Sequence, residues 1–142
     1  ALAERADVHV VVGESMIGER LDIAMERVHI IRDYPNSMYF RAFDGTVLAG
    51  GYNSFHETRN FGLPALFYPN METGMDDQLA RCKVAEDEGW GTVLETRTQE
   101  GIAQAVEHLL ASIGSVEASS VDSGASPLAR QLLSLLPSTL ID

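Results

Sequence analysis

The sequence predicts an α/β domain, a parallel sheet with helices on both faces, and three observations predict it. Short continuous apolar runs alternate along the chain with stretches whose apolar residues recur at helical spacing, which is the alternation of buried strands and crossover helices. The 142 residues suffice for one domain with its own core. Their 45% hydrophobic and 22% charged content belongs to a globular chain and to neither a disordered nor a fibrous one.

Five strands are expected, over Val8–Val12, Val28–Arg32, Thr46–Ala49, Ala65–Tyr68 and Thr92–Glu95. Each run is too hydrophobic for a sheet with one wet face, so each is expected to be covered on both sides. Helical stretches fall between and after them, over Ser37–Phe43, Tyr52–Phe61, Asp76–Glu88 and Thr98–Ser112. In the last, Ile102, Val106, Leu109, Leu110 and Ile113 mark one face, with Thr98 as N-cap and Gly114 as the residue that lets the chain leave. Gly62 and Gly89 stop the two helices before it in the same manner. Glu14 to Met25 fits neither period and reads as irregular.

Residues 114–125, GSVEASSVDSGA, have the composition of a flexible linker between a domain at 1–113 and a C-terminal helix and tail at 126–142. Ser126 would cap that helix, with Pro127 at its first position and Leu128, Leu132, Leu133, Leu135 and Leu136 supplying apolar surface. So short a helix needs another surface to pack on. Its own domain, a second copy of the chain in a homodimer, or a further domain would each serve.

Ten basic residues against 21 acidic ones give a net charge of −11. Such a field repels phosphate backbones and anionic lipid, which argues against nucleic acid or membrane surface as the main partner. The single Cys82 forms no internal disulfide, and there is neither a signal-peptide pattern nor an apolar run near the ~18 residues of a membrane span. A cytoplasmic location is the expectation.

One constellation carries chemistry. A strand ends in Gly50 and Gly51 and is followed by Tyr52, Asn53, Ser54 and a helix bearing Glu57. Glycines let a ligand approach the backbone, and free amides at a helix start attract an anion without lysines. Glu57, one turn further along the face of Asn53, could accept from both hydroxyls of a ribose. A purely structural reading stands beside this, because Ser54 and Glu57 also spell the S-x-x-E capping box.

The wider context GGYNSFHE, FGLPALFYP and DDQ, at 50–57, 61–69 and 76–78, resembles the donor-binding signature of GT-B fold glycosyltransferases. These include the UDP-glycosyltransferases with the plant-type signature and the bacterial lipid-linked N-acetylglucosaminyltransferases, and the likeness covers Tyr34 to Leu110. The resemblance implies a Rossmann-like donor domain in which Gly51, Asn53 and Ser54 bind the diphosphate, Glu57 the ribose, and Asp77 and Gln78 the transferred sugar. Tyr34, Pro35 and Asn36 fall near the family's base-recognition segment, with the aromatic offset by one position. A nucleoside diphosphate sugar, UDP by preference, would be the substrate, with no separate cofactor.

The match has departures. Ala49 stands where the plant-type signature has a phosphate-touching histidine, His56 points away from the face of Glu57, and the loop from Asn70 to Met75 is longer. The chain opens in ALAERAD, which matches the end of the family's first helix, so the first strand is expected to be missing. The acceptor-binding half, in the same or a separate chain, would have to supply the catalytic base, and this chain alone is expected to be inactive. No Asp-x-Asp motif suggests a metal, and Cys82, without a histidine beside it, reads as a small half-buried residue. A related nucleotide-sugar epimerase or hydrolase, and a non-catalytic α/β interaction module, remain alternatives.

Overall fold

The structure, a computed structural model, describes residues 2–14, 20–72, 74, 76–119 and 125–135. Its strands are β1 (Val10–Gly13), β2 (Val28–Ile31), β3 (Thr46–Leu48), β4 (Ala65–Phe67) and β5 (Gly91–Val93). Its α-helices are α1 (Tyr52–Phe61), α2 (Gln78–Asp87), α3 (Gln99–Ala111) and α4 (Ala125–Ser134). A short 3-10 helix spans Leu2–Glu4, and the stretch after β2 is also a 3-10 helix, Asn36–Ala42, leaving Pro35 extended at its start. The described part of Glu14 to Met25 has no regular structure, and Met16 and Ile17 lie outside the described residues.

All strand pairs are parallel, so this is the expected α/β fold, but the strands form two sheets. β1 pairs with β2 from Val10 opposite Val28 to Gly13 opposite Ile31. The second sheet runs β3-β4-β5, with Leu48, Phe67 and Val93 in register at its C-terminal edge. A doubly wound sheet has the order 3-2-1-4-5-6. Removing its first strand leaves a two-stranded and a three-stranded parallel piece, which is the split observed.

β4 sits between two strands and is buried at all three positions. Ala65 and Phe67 point to one face, packing with Phe55 of α1, Cys82 and Ala85 of α2, Trp90 and Val93. Leu66 points to the other, against Ala105, Val106 and Leu109 of α3. The two-residue period of the strand therefore divides the core into two layers. The expectation of cover on both faces is met by β4 only. Val47 of β3 and Val11 of β1 are exposed.

Helix ends follow the sequence signals. Thr98 caps α3 by accepting from the Gly101 amide at 3.1 Å. Gly62 ends α1 in the left-handed region at φ 67°, its amide on Arg59 O, while Leu63 N reaches Thr58 O. On α3 the buried face is Ala105, Val106 and Leu109, whereas Ile102 and Ile113 are exposed at its two ends.

Within the segment read as a linker, 115–119 runs along α1. Ser119 N donates to Arg59 O, Arg59 Nη1 donates to Glu117 O, both at 3.2 Å, and Val116 packs on the cluster around Phe67. These residues, with Trp90 and Glu88, border a depression of about 310 Å³ at the end of the sheet away from the Gly-Gly turn. α4 begins at Ala125, so Pro127 is its third residue and not its first. Leu128, Leu132, Leu133 and Leu135 stay more than half exposed, and Leu136 lies outside the described residues.

Candidate functional site

The Gly-Gly turn lies where β3 delivers the chain to the C-terminal edge of its sheet. Gly50 has φ 84°, and a Cβ built there would stand 2.3 Å from Cys82 Sγ. Both the backbone conformation and the packing of α2 beneath the turn therefore require glycine. Gly51 is different, since a Cβ there would meet nothing within 4 Å. The space in front of it is open.

Gly51 is the N-cap of α1, its carbonyl accepting from Phe55 N at 2.9 Å, and no side chain caps the helix. The amides of Tyr52, Asn53 and Ser54 occupy the first turn, where a helix leaves its N–H groups unpaired. Ser54 is thus the third helical residue and cannot be the N-cap, so the capping box that the sequence offers is not formed. Asn53 is exposed and Ser54 half-buried beside it. Glu57, also half-buried, accepts at Oε1 from Ser37 Oγ at 3.0 Å, which ties the 3-10 helix to α1. His56 is exposed and stacks edge-on with Tyr52, away from Glu57.

The second group of expected residues stands at the start of α2. Asp77 is its N-cap, with Oδ1 accepting from Ala80 N at 2.9 Å. Helix α2 starts at Gln78 and not at Asp76, so Asp76 and Asp77 precede it. Gln78 Oε1 accepts from Asn70 N at 3.0 Å, tying the loop after β4 to the helix. These residues, with Met71, Gly74 and Leu79, line an open cleft of about 400 Å³. The tie to Ala80 engages one Asp77 oxygen, and the loop tie engages the Gln78 carbonyl.

Arg81 joins the two groups, and sequence reasoning missed it. Its Nη1 donates to Gly50 O at 2.7 Å, its fork pairs with the Asp76 carboxylate, and its guanidinium lies 5.5 Å from the Tyr52 ring centre. The neighbouring guanidinium holds the Asp76 carboxyl below the usual range, and the pairing raises Arg81 in turn. The one available signal was its place, one turn into the helix that follows DDQ. Cys82, next in sequence, is fully buried under Gly50, and burial pushes its thiol up to about 11. The half-buried expectation is corrected, and a thiol in that state is not nucleophilic.

Of the residues expected near a nucleobase, Tyr34 is largely exposed beyond the end of β2, and the Asn36 amide fills the space a side chain on Gly13 would need. On the same side Glu14 is buried, accepting from Leu21 N at 2.7 Å and pairing with Arg20 and Arg32 at 2.9 and 2.8 Å. Chiefly the Leu21 amide, with the two arginines, keeps its carboxyl below the usual range despite burial. Nothing in the apolar pattern of β1 marked that glutamate as buried.

Neither a protein-family model nor a curated protein matches the chain by sequence. Among the solved structures that match it by shape are two glycosyltransferases. The glycotransferase of kitacinnamycin superposes with a TM-score of 0.60 at 22% identity, over 75% of this chain and 28% of that one. The spinosyn forosaminyltransferase superposes with a TM-score of 0.54 at 15% identity, over 92% of this chain and 37% of that one. The fold is one that glycosyltransferases have. The chain spans about a third of the length of either structure. No helix among the described residues is long and apolar enough to cross a membrane, and no group of three or more metal-ligating side chains occurs among them.

Proposed function

We propose that this chain is the donor-binding part of a glycosyltransferase that uses a nucleoside diphosphate sugar, UDP-linked by preference. The observation that carries the reading is the uncapped start of α1 behind the open Gly51, at the sheet edge shared with Asp77 and Gln78, in a fold that two glycosyltransferases share. Ligands of open α/β sheets bind at the carboxyl ends of the strands, which is where this edge lies.

In this reading the amides of Gly51, Asn53 and Ser54 receive the diphosphate. They are oriented before the ligand arrives, so charge that develops on the departing diphosphate meets dipoles already in place. Glu57 takes the ribose hydroxyls with its second oxygen, the first being held by Ser37. Asp77 meets the sugar with Oδ2, the oxygen its cap leaves over, and Gln78 with its amide group, which also donates to the Asp76 carboxylate. The acceptor and the base that deprotonates it belong to a second half, in the same or another polypeptide.

Gly51→Val tests the reading. Its side chain would enter the open space before the cradle with little effect on the fold. UDP binding measured by calorimetry should be abolished while thermal stability is kept. Unchanged UDP affinity in a folded Gly51→Val protein would remove the diphosphate from this turn.

A further inference from the structure

We propose that Arg81 is the cation that receives the donor's phosphate charge and that Asp76 is a resident anion exchanged for it; this rests on the donor-site reading above. The net charge of −11 works against any diphosphate, so a local cation matters. The single lysine, Lys83, is held by Glu86 and Glu95. Arg59 lies at the far end of α1 beside Trp90 and Glu88, and Arg97 lies over Tyr68. Arg81 instead donates to the carbonyl of Gly50, the residue directly before the amide cradle, and its guanidinium flanks Tyr52, the first residue of α1.

The group is also held in place. Its side chain is 19% exposed, and the Gly50 bond and the Tyr52 ring fix the plane of the fork. A guanidinium fork suits a carboxylate and a phosphate alike. Asp76 now fills that role, its carboxyl lowered first by the hydrogen bond from Arg81. Its side chain is 39% exposed and it precedes the N-cap, so in moving toward solvent it gives up the hydrogen bond from the Gln78 side chain but no helical one. A diphosphate brings more charge than one carboxylate and also meets the amides of α1. The exchange conserves the cation's partner: Arg81 gives up Asp76 and gains a phosphate oxygen, while Asp76 goes to water.

The alternative role of the pair is a brace, Asp76 keeping Arg81 on Gly50 so that the turn holds its shape. The two roles differ in the sign of one substitution. Under exchange, Asp76→Asn removes a competitor and a repelling charge, so UDP binds more tightly, by about threefold or more. Arg81→Gln then weakens UDP about tenfold or more. Under bracing, both weaken it.

The experiment is calorimetric titration of UDP into the 142-residue chain, Asp76→Asn, Arg81→Gln and Arg81→Lys, with thermal unfolding of each. Tighter binding by Asp76→Asn with weaker binding by Arg81→Gln supports exchange. Arg81→Lys, which keeps the charge and loses the fork, should fall between Arg81→Gln and the unaltered chain, and with Asp76→Asn it decides the matter if Arg81→Gln does not fold. Equal or weaker binding by Asp76→Asn, while the unaltered chain binds UDP, overturns exchange and leaves the donor site standing. Absence of UDP binding in every chain overturns the donor site and the exchange with it.

Discussion

Replacing Gly50 by alanine should cost far more than the same change at Gly51, although the two are adjacent in sequence. At Gly50 two costs add. An alanine at φ 84° costs about 1–2 kcal/mol. Its methyl, 2.3 Å from the fully buried Cys82 Sγ, adds overpacking of about 1–3 kcal/mol. The sum, about 2–5 kcal/mol, is a large part of the stability of about 5–15 kcal/mol usual for a domain. At Gly51 the backbone has φ −58° and the space is open, so alanine should cost under about 0.5 kcal/mol. Urea unfolding followed by the fluorescence of Trp90 would measure both. Cys82→Ala in the Gly50→Ala background should recover the steric part and leave the backbone part, a coupling read from a double-mutant cycle. A cost below about 1 kcal/mol at Gly50, or no coupling to Cys82, would refute the account of why glycine stands there.

Three further outcomes follow from the same geometry. Cys82, fully buried with its thiol near 11, should resist an aromatic disulfide reagent at pH 8 in the native state and react at once in denaturant; native labelling at the rate of a free thiol would contradict this. Glu14, whose carboxyl is lowered from 4.5, stabilises the fold above that value and loses the effect as pH falls through the folded value. The difference in melting temperature between the unaltered chain and Glu14→Gln should therefore narrow on acidification from pH 7 to pH 3, and a constant difference would dismiss the carboxylate's role. Glu57→Gln keeps an acceptor for Ser37 and should leave stability within about 1 kcal/mol, while weakening UDP about tenfold and 2′-deoxy-UDP less; equal weakening of both would take Glu57 off the ribose 2′-hydroxyl.

Much of the fold was legible because its signals are local. The alternation of apolar runs marks all five strands, and the α1 limits Tyr52–Phe61 follow from the glycines at either end. What was not legible depends on contacts distant in sequence. The break into two sheets requires knowing which strands are neighbours, and the burial of Glu14 depends on Arg32, 18 residues away. The sites divide in the same way. The Gly-Gly turn and the start of α1 at Tyr52 are found from spacing, because they are adjacent in the chain. Arg81 is not, because its partner Gly50 lies 31 residues earlier and an arginine on a helix reads as surface. The capping box shows the reverse error: Ser54 and Glu57 have the right spacing, yet the helix starts two residues before Ser54.

The most direct test of a nucleotide site at the Gly-Gly turn is a titration of the isotopically labelled chain with UDP, dTDP and GDP, followed by amide NMR. UDP is expected to bind at roughly millimolar affinity. Shifts should be largest at Gly51 to Ser54, smaller at Asp77 and Gln78, and absent around Trp90 and residues 115–119 at the other end of the sheet. Shifts confined to that far end, or none at the cradle in the presence of saturating UDP, would contradict it.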